Sequence, residues 1–165
     1  MTRSDDREQK FSWFYRGEFP VVVRTVRLML GDRDLAQEIA QEAFVRMLAR
    51  WEIVSRYDRP DLWVRKVAVR LAIKAAGRRR AHQELTHEIE PAMDAATSDV
   101  DLMAAIATLP GRQKAAIALF YLEDRPLSEV AGVLDCSVST AAVHLHRARK
   151  RLAAQLREEV PDVGR

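Results

Sequence analysis

The sequence predicts an all-α protein built as two small helical domains joined by an acidic linker. Three observations carry this. Apolar residues recur at helical spacing in every patterned stretch of the 165 residues. Charge divides the chain into blocks: residues 1–80 hold 18 Lys/Arg and 11 Asp/Glu, residues 81–111 hold no Lys or Arg and six acids, and residues 112–165 hold nine basic and seven acidic groups. An acidic, Ala/Thr/Ser-containing stretch between two basic blocks reads as a linker. Finally, Pro126–Leu156 reads as two helices separated by a tight break, the second one basic. The expected division is 1–82, a linker at 83–100, and 101–165.

Composition narrows the function classes. An apolar fraction of 48% is enough for a core, and no apolar run approaches the roughly 20 residues that span a bilayer. The N-terminus MTRSDDREQK lacks the apolar stretch of a signal peptide. A single cysteine, Cys136, excludes an internal disulfide and leaves too little thiol for a zinc site, and His82, His87, His144 and His146 are scattered. The expectation is a cytoplasmic protein without metal, cofactor or membrane insertion. No glycine-rich phosphate loop and no nucleophile with its base is present, so an enzyme is not expected.

The elements follow in order. Phe14, Phe19, Val22, Val23, Val26 and Leu30 define a first helix that ends at Gly31, where a C-terminal glycine belongs. In the next helix Leu35, Ile39, Ala43, Met47 and Trp51 fall four apart, with Ala36, Ala40, Phe44 and Leu48 widening the apolar face. Its other face carries Gln37, Glu38, Gln41, Glu42 and Arg46; acids there also suit the helix dipole. The loop Glu52–Arg59 mixes Arg56 and Tyr57 with Trp51 before it and Trp63 after it. Such aromatics either stack on unpaired bases or fill the core, and the sequence leaves both open.

Pro60 opens a third helix, expected to run to about Arg80, with Val64, Val67, Ala68, Leu71 and Ala75 as its core stripe. Lys66, Arg70, Lys74 and Arg78 stand opposite at four-residue spacing, followed by Arg79 and Arg80. Like charges so placed oppose each other by a few tenths of a kcal/mol per pair, and no acid on that helix relieves them after Asp61. The stripe therefore calls for an anionic partner such as phosphates more than for solvent. After the linker come short helices at Leu102–Leu109 and Arg112–Leu122. In the final pair Leu127, Val130, Ala131 and Leu134 lead into a turn at Asp135-Cys136-Ser137. Ser137 and Ser139 are candidate N-caps for a helix carrying Arg147, Arg149, Lys150, Arg151 and Arg157. This is how a helix-turn-helix reads in sequence, with double-stranded DNA as its partner; a solvated basic face is the plainer alternative. Cys136 at the turn is read as a small hydrophobe before a redox group.

Four stretches in order resemble the bacterial RNA polymerase sigma factors of the extracytoplasmic-function group, and the likeness covers nearly the whole chain. WFYRGEFPVVVRTVRLMLGD is similar to the family's first conserved helix. EIAQEAFVRMLARW is similar to its acid-leucine-x-Gln-Glu-x-Phe helix. PDLWVRKVAVRLAIKAAGRRR resembles the promoter-melting helix. LPGRQKAAIALFYLEDRPLSEVAGVLDCSVSTAAVHLHRARKRL resembles the C-terminal domain, ending in the Arg147-Ala148 pair.

The resemblance implies a subunit that binds core RNA polymerase, through its β′ clamp and β flap, and directs promoter-specific initiation while the polymerase does the chemistry. It implies that Glu38, Ile39, Gln41, Glu42 and Phe44 dock on the clamp. It implies that Arg56, Tyr57, Trp63, Arg65, Lys66, Arg70, Lys74, Arg78, Arg79 and Arg80 capture and melt the −10 element. Ser137, Ser139, Thr140, His144, Arg147, Arg149 and Lys150 are implied to read the −35 element in the major groove. An anti-sigma factor is a common partner in the group, though no residue demonstrates one. Arg70 stands where asparagine is usual and Lys74 where aspartate is common. In the recognition helix Ala142 and His144 replace a lysine and an arginine, which predicts a diverged upstream element or weaker reliance on it. The competing reading is a stand-alone helix-turn-helix regulator that does not bind core polymerase; the Glu38–Phe44 motif and the basic third helix argue against it.

Overall fold

The structure, a computed structural model, describes residues 2–86 and 97–158. Helix α1 (Arg3–Leu30) stops where Gly31 takes φ 68° and returns its N–H to the Arg27 carbonyl at 2.8 Å. That left-handed conformation is nearly free for glycine and costly for other residues. Asp32 then caps α2 (Arg33–Ala49), its Oδ1 accepting the Leu35 N–H at 3.1 Å. A single helical turn, α3 (Trp51–Val54), occupies the start of the segment expected to be a loop.

Helix α4 begins at Pro60 as expected but continues to Thr86, past Arg80 and into the stretch expected to be linker. Residues 87–96, the middle of that expected linker with Glu88, Glu90 and Asp94, lie outside the described residues. Helix α5 (Thr97–Ala107) starts before the expected Leu102. Helix α6 (Gly111–Ile117) runs into a π-helical turn, Ala118–Leu122, where the Glu123 N–H bonds to the Ala118 carbonyl at 3.2 Å. Helices α7 (Leu127–Leu134) and α8 (Val138–Glu158) form the helix-turn-helix. Asp135 sits between them at φ 55°, a left-handed position that aspartate tolerates better than most residues.

The N-terminal unit packs α1 on α2 and both on α4. Phe11, Tyr15 and Phe19, spaced four apart on α1, stack along one ridge and meet Trp51 and Phe44, with centroids 5.2 Å apart for Phe11–Trp51 and Tyr15–Phe44. Trp51 is therefore a core residue, which resolves one of the two tryptophans left open by sequence. Trp63 is partly buried against the same core. In the C-terminal unit α5, α6 and α7 pack on α8 around Leu109, Leu119, Val130, Val133, Ala141, Leu145 and Ala148.

The two units are not separate in space. Helix α4 packs on α7, and α1 touches α5, α6 and the π-helical turn, so one apolar cluster runs through both. One close approach is at Gly111, where a Cβ would lie 2.9 Å from Ile73 Cγ1 on α4. Only the absence of a side chain lets α6 come this near.

Candidate nucleic-acid and protein interfaces

The outer face of α2 exposes Glu38, Gln41 and Glu42, with Arg46 donating from Nε to Glu42 Oε1 at 2.9 Å. Ile39 and Phe44, expected beside them at the docking surface, are 8% and 2% exposed. Both belong to the core, Phe44 against Phe14, Tyr15 and Phe19 of α1, so in this arrangement they hold the helix in place and do not form its outer surface. Leu48, expected in the core, is instead 45% exposed, and Val45 and Ile53 are exposed too. Counting by turns of 100° puts Val45 and Leu48 beside Gln41 on one stripe. The surface is thus an apolar strip edged by carboxylates. Its apolar members escaped the sequence reading because their spacing also fits the core face.

The basic residues of the loop and of α4 fall into three sets. Arg56, Lys74, Arg78 and Arg80 are exposed, as is Tyr57. Arg79 donates from Nη1 to the Leu30 carbonyl at 3.1 Å and lies 3.9 Å from Asp32, tying α4 to the α1–α2 junction.

The third set points at the C-terminal unit. Arg65, 2% exposed, donates from Nε to Glu123 at 2.7 Å and from Nη1 to the Asp61 carbonyl at 2.9 Å, and its Nη1 lies 2.6 Å from Glu18. Arg59 binds Asp61 at 2.9 Å and also Glu129. Arg125 closes the ring on Asp61 at 3.1 Å and Glu129 at 3.0 Å. Lys66 and Arg70 share the two oxygens of Asp135 at 3.2 and 3.1 Å. Half of the α4 stripe, Lys66 and Arg70, thus finds its anionic partner in Asp135 of the helix-turn-helix, while Lys74 and Arg78 stay exposed. Arg65 is the clearest correction: in this arrangement no nucleic acid can reach it. The π-helical turn matters to this geometry, because Glu123 directly follows it and aims inward at Arg65.

These carboxyls titrate accordingly. Burial pulls the Asp61 carboxyl up, but the hydrogen bond and charge of Arg59, with Arg125 and Arg65, outweigh it and hold it below 3.8. The Arg59 hydrogen bond holds Glu129 below 4.5, and the Lys66 hydrogen bond holds Asp135 below 3.8.

On α8, Ser137 is the N-cap: its Oγ accepts the Thr140 N–H at 3.1 Å. Ser139, the other candidate cap, lies inside the helix, 3.0 Å from Ser137 Oγ. Ser139, Thr140, Arg147 and Lys150 are exposed, while Ala141, Leu145 and Ala148 form the buried stripe. His144 is half-buried, and burial followed by the charges of Arg112 and Arg147 lowers its pKa from 6.5. Arg149 departs from the expected DNA set. Nine residues from Thr140, it stands on the opposite side of the helix. There its guanidinium lies 5.4 Å from the Phe120 ring centre and 5.3 Å from that of Tyr121, and it donates to the Tyr121 hydroxyl.

A helical unit with a long basic helix, joined to a unit that ends in a helix-turn-helix, defines a DNA-directed helical protein. Comparison with known proteins makes this specific. The sigma-70 region 2 model matches residues 14–82 and the sigma-70 region 4 model matches residues 99–152. The chain is 29% identical over 150 residues to RNA polymerase sigma factor SigV of Bacillus subtilis, covering 88% of this chain and 86% of that one. It is 26% identical over 152 residues to the RNA polymerase sigma-E factor of Streptomyces coelicolor, with 89% and 86% covered. It is 25% identical over 149 residues to the ECF RNA polymerase sigma factor SigW of Bacillus subtilis, with 79% and 80% covered. Among solved structures, the sigma factor RpoE of Bartonella quintana, crystallised with the anti-sigma factor NepR, superposes with a TM-score of 0.72 at 17% identity, covering 92% of this chain and 99% of that one.

The chain belongs to the RNA polymerase sigma factors, in their extracytoplasmic-function group. Its activity is promoter-specific initiation with core RNA polymerase, and the stand-alone regulator reading is not favoured. The family is one of non-catalytic initiation factors. Among the described residues no helix is long and apolar enough to cross a membrane.

Proposed function

We propose that the clamp of core polymerase is engaged by Glu38, Gln41 and Glu42 together with the exposed apolar strip of Val45 and Leu48. The promoter −10 strand is then taken by Arg56, Tyr57 and the exposed cations of α4, Lys74, Arg78 and Arg80. Lys66 and Arg70 join them once Asp135 releases them. The −35 duplex is taken by the N-terminal turn of α8, Ser139 and Thr140, with Arg147 and Lys150 on phosphates; His144 contributes shape and hydrogen bonding. Core-binding and −10 functions map to 1–82 and −35 reading to 101–165, with 83–100 between them. The protein acts in the cytoplasm, and its compact form suits capture by an anti-sigma factor, as RpoE of Bartonella quintana is held by NepR in their co-crystal structure.

The observation that carries the reading is the stripe of cations on α4, of which Lys66 and Arg70 are paired with Asp135 of the helix-turn-helix while Lys74 and Arg78 are exposed. A surface that is internally paired in the free chain and basic when released fits a DNA-reading helix exposed on assembly. The test is a pull-down of core RNA polymerase by the intact chain and by a Glu38→Ala/Gln41→Ala/Glu42→Ala variant. Stoichiometric capture by the intact chain and its loss in the variant are expected. Equal capture by both would move the docking site off α2.

A further inference from the structure

Between Val138 and His146 the second helix of the helix-turn-helix carries no Lys or Arg, so its first two turns have no cation of their own for a phosphate. One stands beside them on another element. Arg112 of α6 is exposed, and its Nη1 donates to the Leu134 carbonyl, at the end of α7, at 2.9 Å. That bond fixes the guanidinium against the turn and leaves its remaining N–H groups to other partners. Asp135, next along the chain, is held by Lys66 and Arg70 and makes no ion pair with Arg112. Turns of 100° counted from the buried stripe Ala141, Leu145 and Ala148 put Thr140, His144, Arg147 and Arg151 along one flank of α8 and Arg149 along the other. Arg112 lies by the first flank, since its charge and that of Arg147 both act on His144. Thr140, Arg147 and Arg151 on that flank are exposed, as Arg112 is.

We propose that Arg112 is a backbone-phosphate anchor for the duplex that α8 reads, a contact made from outside the recognition helix. The proposal rests on the reading of α8 as the −35 reader and adds a residue to it. Tied to the end of α7, the guanidinium is set in place before DNA arrives, so little side-chain freedom is lost on binding. Its planar fork matches phosphate oxygens in pairs. A phosphate contact positions the protein on the duplex without reading sequence. Arg112 therefore sets the register in which Ser139 and Thr140 meet the bases and strengthens binding to every sequence alike.

The test is fluorescence anisotropy of the full-length chain on two short duplexes of unrelated sequence, one A·T-rich and one G·C-rich, across a sodium chloride series. Arg112 and the flank beside it are exposed in the intact chain, so no part of it has to be removed. One phosphate contact contributes about 0.9 to the slope of log affinity against log salt. Arg112→Gln is expected to flatten the slope by about that amount and to weaken binding several-fold at low salt, equally on both duplexes. Arg112→Lys keeps the charge and is expected to keep the slope. Arg147→Gln, on the same flank, is the reference for the reading of α8. A slope flattened by Arg147→Gln and unchanged by Arg112→Gln overturns the anchor and leaves the −35 reading standing. If neither substitution moves the slope, both fall. Weaker binding at unchanged slope in Arg112→Gln and Arg112→Lys alike also overturns the anchor, because the side chain then acts only by holding the turn through Leu134.

Discussion

Arg65 concentrates the chemistry of the domain junction in one side chain. Its guanidinium serves Glu18 on α1, the Asp61 carbonyl on its own helix and Glu123 beyond the π-helical turn. A lysine there has one compact donor centre and cannot span those directions. Removing one member of a buried ion pair costs about 3–5 kcal/mol, because the remaining charge stays buried. Arg65→Met should therefore lower the unfolding free energy from chemical denaturation by an amount in that range, and Arg65→Lys should recover only part of it. Asp135 is the opposite case, an exposed carboxylate whose value is in what it occupies. Asparagine tolerates the same left-handed backbone, so Asp135→Asn removes the charge without moving the turn. The freed Lys66 and Arg70 should raise the affinity of the free chain for a short DNA several-fold. The slope of log affinity against log salt should steepen by about one to two, measured by anisotropy across a salt series.

Among the elements, α4 and α6 fit closely at one glycine. A Cβ at Gly111 would meet Ile73 Cγ1 at 2.9 Å and Cγ2 at 3.1 Å. Overpacking of this kind typically costs about 1–3 kcal/mol. Gly111→Ala should destabilise the chain within that range, and Ile73→Val combined with it should restore part of the loss, a coupling that a double-mutant cycle measures directly. Glycine's absence of a side chain is used at one other helix end, Gly31, where φ 68° rather than crowding is the reason. On α8 the element-level pattern decides which arginines point away from the rest of the C-terminal unit. The buried stripe Ala141, Leu145 and Ala148 fixes the rotation of the helix, so Arg147 faces outward while Arg149 is drawn onto Phe120 and Tyr121.

For the molecule as a whole, the junction is an electrostatic latch over an apolar seam. Asp61, Glu129 and Asp135 all have folded pKa values held below their ordinary ones by the cations they face. Their contribution is fully present above the ordinary carboxylate range, about 3.9–4.3, and is lost as pH falls through the lowered values. The sign is thus toward opening in acid and toward closure at neutral pH. A pair of fluorophores on α2 and α8 should report constant energy transfer from pH 8 down to about 5, then a fall below about 4. High salt at neutral pH should act the same way on the exposed Asp135 contacts and much less on Arg65.

Much of this molecule was determined by the sequence alone. The positions of the helices, the stop at Gly31, the start at Pro60, the Ser137 cap and the turn at Asp135 depend on neighbours within about four residues, which is the range over which capping and periodicity act. The family likeness rested on the same local stretches and was legible there. Which face of α2 is exposed was half legible: Glu38, Gln41 and Glu42 are exposed as their polarity indicated, but periodicity could not separate buried Ile39 and Phe44 from exposed Leu48. Only the tertiary structure decided what the charges do. Arg65 and Glu123 are 58 residues apart, and Arg59 and Glu129 are 70 apart. No local pattern couples such distant residues, because an ion pair depends on distance in space while periodicity reports only which side of a helix is apolar. The same holds for Lys114, an ordinary surface-type residue in sequence that the packing of α4 on α6 turns into a buried cation.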